Sequence, residues 1–595
     1  MVNDRTLDAR EAYDILRAVC RADDSSLRGA YRQMRELLEL LCRTQTEDGS
    51  LQMTDLAARI NYVGAKLGLS VVEQNRLHSF RLTSNDILNH RAEPEREHLL
   101  RDAKTLAFFV RRLTREDIPE DLYSVLPRAD ATYIVAPPAK ENLHRLRATF
   151  LRADDTYLYI RPTDVLSDEP LRVRRSVPQV NEEFNETCRI LWPGAQLNLL
   201  DVAVDEAGVL TPSFIVLEPD YLIDISTLAE CFKEYGHHPL NYILMRLQPV
   251  GNTRPLLLGN IVNLFLDEWI HAETEPDYLA CMKKAFRAYP IELAACADLR
   301  DLEKERQFFA DCRLHFEHLR QTVTETFHAS GYGLDRRDAV LEPSYLCEAL
   351  GLQGRLDYMQ RDMTSFIEMK SGRAEEYAVR GKIVPKENNL VQMLLYQAVL
   401  EFSMGKDHHR VKPYLLYTRY PLLYPARGSW AMLRRVLDVR NRIVAEEYGI
   451  QRHNDPAYTS RRLKALTPDT LNERGLANTL WKRYLYPGID QVRKSLDALS
   501  PLESDYFHTL YNFITKELYT SKSGDVAYER HTGAASVWLS TLAEKEEAGE
   551  ILDDLSIRES HAADARKAYT ILEREAGAGE GEAAWPNFRP GAAGG

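Results

Sequence analysis

The sequence predicts a multidomain protein of mixed α and β structure, with a helical module first, then a small set of strands, then a mixed sheet flanked by helices, then a helical C-terminal part. Three observations carry this reading. A chain of 595 residues that is 44% hydrophobic is too long for one ordinary core, so several packed units are expected. The apolar period changes from three-and-four to two near residue 130, and becomes helical again after about residue 220. Strand-like runs then return at LCEALGLQGRLDYM. The expected boundaries are 1–125 for the helical module, 126–220 for the barrel, 221–430 for the sheet-containing core with a helical insertion, 431–570 for a helical C-terminal part and 571–595 for a low-complexity tail.

In the first unit, AYDILRAVC, LRGAYRQMRELLELLCR and KTLAFFVRRLTRE place apolar residues three and four apart with charges between them, the pattern of amphipathic helices. In the second, ATYIVAP, LRATFLRA, TYLYIRP, QLNLLDVAV and TPSFIVLEP alternate and are separated by Pro, Gly and Asp turns. Five or so short strands in about a hundred residues suit a small OB-like barrel. The basic stretch LRVRRS there suits either a groove for single strands or an ordinary solubilising face. After LEPDYLIDIS, where Asp224 or Ser226 can cap a helix, the pattern is helical through LAECFKEYG, HPLNYILMRL and GNIVNLFLDEWIHA to about residue 330. From about residue 430 it is helical again, and EREAGAGEGEAAWPNFRPGAAGG at the end lacks the apolar surface to fold alone.

The formal net charge of -13 excludes a protein that grips nucleic acid with its whole surface, so any DNA contact must be a local basic channel. The eight cysteines include no CxxC pair, which argues against a disulfide framework and a sequence-local zinc site. MVNDRTLDAREAYDIL has charges where a signal peptide needs an apolar core, and no run of eighteen apolar residues occurs. The cytoplasm is the expected address, at the nucleoid if the source is bacterial, with no membrane partner.

The chemistry concentrates in GLQGRLDYMQRDMTSFIEMKSG, followed by NNLVQMLLYQAVLEF. LQGRLDY and SFIEMKS have strand character and are joined by the turn-like QRDMT, which predicts a hairpin whose first arm ends near Asp357. Glu368 and Lys370 are two apart and share one face of the second arm, while Ile367 and Met369 take the apolar one. Two carboxylates converging with a lysine would repel each other without a cation. Mg²⁺ or Mn²⁺ answers that, because it prefers a few carboxylate oxygens and can also hold a phosphate. Asp357 and Glu368 are the expected carboxylate ligands. Gln392 and Tyr396, four apart on the next helix, present polar groups to the lysine or the substrate. E-x-K alone is common on exposed strands as a solvated pair; the conjunction within about forty residues makes the argument.

With G-x-x-D, then E-x-K-S-G, then Q-x-x-x-Y in order, the chain resembles the RecB-like branch of the PD-(D/E)XK nucleases, which have a restriction-endonuclease-like fold. FIVLEPDYLIDISTLAECF and RPLLLGNIVNLFLDEWI make it similar to the nuclease half of the DNA replication ATP-dependent helicase/nuclease family of flap-trimming enzymes, over about residues 130 to 420 and more weakly at PNFRPG. The resemblance implies a metal-dependent endonuclease on single-stranded or flapped DNA threaded through a basic tunnel. Asp357, Glu368 and Lys370 match the catalytic positions, and Gln392 and Tyr396 the supporting motif. Three departures stand out. GNIVN puts Asn263 where the family has a metal-binding His, and an amide oxygen is a weaker ligand than imidazole, so the metal set the resemblance implies is Asp357, Glu368, Met369 and Asn263, with Asn263 as a cap or bridge within the fold the equal alternative. Cys231 matches the first iron–sulfur position, but no cysteine follows Cys347, so no iron–sulfur cluster is expected and LWKRYLYPGIDQV is expected to replace it with apolar packing. No G-x-x-x-x-G-K-[ST] loop occurs, so a helicase motor must sit on another chain or in a missing C-terminal region.

The leading expectation is therefore a DNA nuclease of replication, repair or phage defence, with SRRLKAL, WKRYL and VRKSL lending part of a basic channel. The alternatives are a catalytically weak or inactive DNA-binding scaffold, and an accessory subunit of a helicase–nuclease complex.

Overall fold

The computed structural model describes residues 8–46, 53, 55–135, 140–249, 251–329, 331–376, 383–425, 428–524, 532–552, 555–561 and 569–574. It is a mixed α and β protein with helices and several sheets. Helices Ala9–Cys20, Leu27–Thr44, Leu56–Leu67, Val71–Leu88 and Arg96–Thr114 come first, followed by the short Glu120–Val125. Their apolar stripes meet in one core containing Tyr13, Leu16, Tyr31, Met34, Leu38, Phe80 and Leu106. Starts are set by side chains: the Asp55 carboxylate accepts from the Ala57 and Ala58 N–H groups, and Ser70 and Glu73 form a reciprocal capping box, each cap worth about 1 kcal/mol.

Strands β1 (Leu143–Ala153), β2 (Tyr157–Pro162), β3 (Leu171–Arg174), β4 (Gln196–Val204) and β5 (Leu210–Leu217) close into a barrel in the order β1-β2-β3-β5-β4. Ala148, Phe150, Leu158, Ile160, Val173, Leu197 and Phe214 are buried within it, and the short helix Asn185–Ile190 lies between β3 and β4. ATYIVAP is not one of the strands. Residues 131–135 are irregular, and 136 and 137 lie outside the described residues. Its place is taken by LRVR, whose basic residues hid a strand with one buried side chain, Val173.

Three further sheets follow, built from β6 (Ile223–Asp224), β7 (Ala339–Leu341), β8 (Ser344–Cys347), β9 (Leu352–Arg355), β10 (Tyr358–Gln360), β11 (Ser365–Lys370), β14 (Lys412–Tyr417) and β15 (Leu422–Pro425), with the two-residue strands β12 (Glu375–Glu376) and β13 (Ile383–Val384) paired by themselves. A three-stranded sheet has the order β6-β9-β8 and a five-stranded one β15-β14-β11-β10-β7. The larger is mixed: β11 runs parallel to β14 and antiparallel to β10. Both its faces are covered. Ile367, Met369, Tyr414 and Leu416 pack with Phe265, Trp269, Phe308 and Phe316 of the helices Arg254–His271 and Leu302–Gln321. Phe366, Leu415 and Tyr417 pack with Val391, Leu395 and Val399 of the helix Glu387–Met404, which connects β11 to β14.

The helix Trp430–His453 ties the barrel to the smaller sheet. Its fully buried Arg440 donates to the carbonyls of Leu217, Glu218, Tyr221 and Gly351. Gly351 is at φ +64°, and a Cβ there would overlap the Arg440 guanidinium, so both backbone and space demand glycine. Beyond it come the helices Pro456–Lys464, Tyr486–Asp497, Pro501–Ser523 and Leu542–Ala548. Within LWKRYLYPGIDQV, Trp481 and Ile489 are buried with Tyr235, Leu240 and Leu463.

The expected helical run to 570 and tail from 571 are corrected by an antiparallel hairpin, β16 (Leu555–Ser560) with β17 (Thr570–Arg574). Leu555 and Ile557 alternate with the polar Ser556 and Arg558, which is strand periodicity rather than helical. The remainder of the tail, including PNFRPG, lies outside the described residues. No helix among the described residues is long and apolar enough to cross a membrane.

Candidate active site

Strands β10 and β11 form a hairpin through Tyr358↔Ile367 and Met359↔Phe366, and its turn is fixed by the Asp362 carboxylate accepting from the Thr364 N–H (2.9 Å). The first arm differs from expectation. LQGR belongs to β9 in the smaller sheet, and the chain changes sheets at Leu356–Asp357, so Asp357 begins the β10 arm rather than ending a longer one. The Asp357 carbonyl accepts from the Glu342 N–H (3.2 Å), and its side-chain Oδ2 accepts from the Met369 N–H (2.6 Å). That second bond reaches across to β11 and brings the carboxylate beside Glu368.

Glu368 and Lys370 share the face of β11 turned to the helix Glu387–Met404. Lys370 Nζ donates to Glu368 Oε1 (2.9 Å) and to Gln392 Oε1 (2.8 Å), and Gln392 Nε2 donates to the same Glu368 oxygen (2.6 Å). The three side chains thus close a triangle. Glu368 Oε2 is buried and has no hydrogen-bond partner among the described residues, although its residue is only 4% exposed. An orphaned carboxylate oxygen in such a place costs about 1–3 kcal/mol or more unless something else meets it.

The electrostatics follow from this. Burial, and then the neighbouring Asp357 charge, push the Glu368 carboxyl up to about 8. Burial also raises Asp357, against the opposing Met369 N–H and Lys370. For Lys370, burial disfavours the charge, but Glu368, Asp357 and Glu230 outweigh it and hold the ammonium above its ordinary value. One ammonium is set against a group of carboxylates, and a divalent cation would offset the excess.

Tyr396 does not join the triangle. Its hydroxyl donates to the Arg355 carbonyl (2.6 Å), two residues before Asp357, so it positions the sheet switch. The glycine of G-x-x-D serves the same packing. A Cβ on Gly354 would stand 3.1 Å from both Tyr396 Oη and Ile225 Cδ1. The Met369 thioether is buried on the opposite face with the Phe265 cluster, where the strand's alternation puts it. The Met369 N–H faces Asp357, and in a strand the carbonyl of the same residue faces the same edge, so the backbone alone is offered to the site.

Asn263 lies half-buried on the helix Arg254–His271, between Gly259 and Asp267 at four-residue spacing. Gly259 lies against Ser371 just beyond β11, and the charges of Glu342 and Arg355 act on Asp267, which is raised by burial. The helix face carrying Asn263 therefore runs from Ser371, just beyond Lys370, to the Glu342 and Arg355 charges that also act on Asp357. Asp267, Glu342 and Glu230 were missed in the sequence. Asp267 has a signal, one turn beyond Asn263, whereas Glu230 and Glu342 reach the site only through tertiary packing.

Asp224 sits at the N-cap position of Ile225–Ala229 but uses its carboxylate to accept from Gln353 Nε2 (3.0 Å). All eight cysteines are buried and free. Cys231 Sγ donates to the Thr227 carbonyl (3.5 Å), and burial pushes its thiol up to about 12. In the expected basic channel, Arg462 pairs with Glu446, Arg493 with Asp490 and Asp497, and Lys494 with Asp490, so these three cations are matched locally. A scan of the chain against protein-family models and a search of curated proteins each find no match.

Proposed function

We propose that this chain is a divalent-metal-dependent deoxyribonuclease of the PD-(D/E)XK kind, RecB-like in its motif order, acting on single-stranded or flapped DNA. The observation that carries this reading is the buried, unpartnered Glu368 Oε2 beside Asp357, with Lys370 held against the same carboxylate. Asp357, Glu368 and the Met369 carbonyl fit a Mg²⁺ or Mn²⁺ ion, being hard oxygen donors on one sheet edge, and Asn263 offers a further amide oxygen from the neighbouring helix. Such an ion, when bound, would supply Lewis-acid polarisation of the scissile phosphate and a more acidic water.

The protein's own groups do the rest. Gln392 fixes the Lys370 ammonium so that it meets developing phosphate charge without reorganising. Tyr396 and Gly354 hold the backbone that aims Asp357. The β11–β14 mixed sheet with helices on both faces is consistent with a restriction-endonuclease-like core, and the 1-2-3-5-4 strand order, with a helix between the third and fourth strands, with an OB-like barrel. On the barrel, register places Arg152 opposite Tyr159 and Tyr159 opposite Arg172, with Arg152 stacked 3.6 Å over the Tyr159 ring. Two cations flanking an aromatic suit a single strand's phosphates and bases.

Labelled single-stranded, flapped and duplex DNA with Mg²⁺ or Mn²⁺ tests the proposal. The parent should cut the first two, while Glu368→Ala and Lys370→Ala should each lose at least about 100-fold. Equal cutting by all three proteins would remove the assignment. One observation favours a second reading, a DNA-guiding scaffold: Asn263 is a weaker ligand than imidazole. DNA binding by the parent without cutting would select it, and co-purification with a motor protein would add a helicase partner.

A further inference from the structure

A second constellation lies away from the Asp357–Glu368 pair, in the turn joining the helix Glu387–Met404 to β14. One carboxylate oxygen of Asp407 and one ring nitrogen each of His408 and His409 all lie within 4.8 Å of one another. A tetrahedral ion with ligand bonds of about 2.0–2.2 Å needs donors about 3.3–3.6 Å apart, a closure within reach of side-chain rotation. The turn itself is fixed. The His409 N–H donates to Asp407 Oδ1 (2.9 Å), and Gln397 Nε2 donates to the His408 carbonyl (2.7 Å). The competing cation, Arg410, stands 3.5 Å from Asp407 Oδ2 on a side chain that is almost wholly exposed and free to swing away.

A separate observation points to a ligand. Glu401, in the last turn of the same helix, places Oε2 2.7 Å from His408 Nδ1. Both atoms are buried, yet neither has a partner in hydrogen-bonding geometry among the described residues. A carboxylate set against one ring nitrogen of an imidazole is how outer-shell groups orient metal-binding histidines. The barrel adds a second pair, His144 Nδ1 to Asp201 Oδ1 (3.0 Å), whose charges reach Glu401. Trp430 packs on His408 and Phe402 on His144, giving the cluster an aromatic wall.

We propose that Asp407, His408 and His409, with Glu401 as direct or outer-shell ligand, form a second metal site, selective for a zinc-class transition ion and distinct from the Asp357–Glu368 pair. Imidazole donors suit Zn²⁺, Co²⁺ or Ni²⁺, whereas Mg²⁺ prefers oxygen. The site would clip the end of the helix that carries Gln392 and Tyr396 to the start of β14, which pairs with β11, and so brace the catalytic strand from its far side.

The test uses the full metal-free chain. After incubation with Zn²⁺ and dialysis, the parent and Glu368→Gln should each retain one zinc per chain, and Co²⁺ should give a visible ligand-field band in both. His409→Ala and Asp407→Asn alter exposed side chains and should leave the metal-free Tm unchanged, while weakening Zn²⁺ affinity at least about tenfold and removing most of the Zn²⁺-induced rise in Tm. His408→Ala should abolish the band. The proposal is overturned if the parent retains no zinc, if His409→Ala and His408→Ala bind as the parent does, or if Glu368→Gln alone removes the metal.

Discussion

Replacing Glu368 by Gln keeps the shape of the side chain and removes a charge that the fold holds at a cost. Burial and Asp357 raise the carboxyl from 4.5 to about 8, which at about 1.36 kcal/mol per pH unit corresponds to about 5 kcal/mol between its two protonation states. Relaxation around Asp357 and Lys370 reduces this, and about 1–3 kcal/mol is the expected observable, the range for a single buried change. The sign is fixed by linkage. Because the folded chain binds this proton more tightly than the unfolded one, the contribution is fully present below the unfolded value of 4.5 and is lost as pH rises through about 8. The metal-free parent should therefore lose stability between pH 5 and 8.5 relative to Glu368→Gln. At about 2–4 °C per kcal/mol for a cooperative unit of about 150–250 residues, the difference is several degrees in the Tm of the transition that carries the site. Mg²⁺ at pH 8.5 should stabilise the parent and not the variant, because the ion binds the folded ionised pair. Thermal melts of both proteins at the two pH values, with and without Mg²⁺, give the four comparisons. Parallel pH slopes and equal Mg²⁺ responses would refute the reasoning, since a buried carboxyl awaiting a cation cannot behave as its amide does.

Three further outcomes are expected. Tyr396→Phe leaves the Arg355 carbonyl without its donor, costing about 1–2 kcal/mol, and should slow cutting several-fold with DNA affinity unchanged; a parallel loss of binding, measured by anisotropy, would make the residue merely structural. Asn263→His should lower the Mn²⁺ concentration for half-maximal cutting by about three- to tenfold, and an unchanged metal titration would mean that this helix face does not reach the ion. Arg172→Glu should weaken binding to a labelled single strand about tenfold at low salt and flatten its salt dependence, whereas an unaltered salt slope would take the barrel face out of the DNA path.

The hairpin and the shared face of Glu368 and Lys370 were legible because a strand's period of two leaves no choice once Phe366, Ile367 and Met369 are buried. Gln392 was legible for the same reason on a helix. The sheet change at Asp357 was not, since only Leu356 and Asp357 separate β9 from β10 and the alternation runs straight through both. LRVR read as a basic stretch because Arg172 and Arg174 face outward, and the strand shows in its pairing with β2 and β5. Glu230 and Glu342 come from segments more than a hundred residues apart, and no local pattern announces their approach to Lys370 and Asp357. The Asp407–His409 cluster was written in the sequence as three adjacent residues, but its partner Glu401 depends on the helix ending at Gly405 in the left-handed conformation, which turns the chain back over its own last turn.

The sheet change also explains how one carboxylate pair can be kept so close. Within one regular hairpin, Asp357 would be an ordinary strand residue with its side chain set by the pleat. By leaving β9 and entering β10 at that residue, the chain frees the Asp357 side chain to reach the Met369 N–H, a bond that a regular ladder would give to a backbone carbonyl. The bond draws Asp357 toward Glu368 at an electrostatic cost, and the surroundings oppose its relaxation: Glu342 holds the Asp357 carbonyl, Tyr396 holds the Arg355 carbonyl, and Gly354 lets Tyr396 approach. Each of these is a local restraint of about 1 kcal/mol, and together they act against the repulsion of two carboxylates. Loosening any one should let Asp357 move away from Glu368, so the restraints far from the phosphate should affect metal affinity before they affect folding.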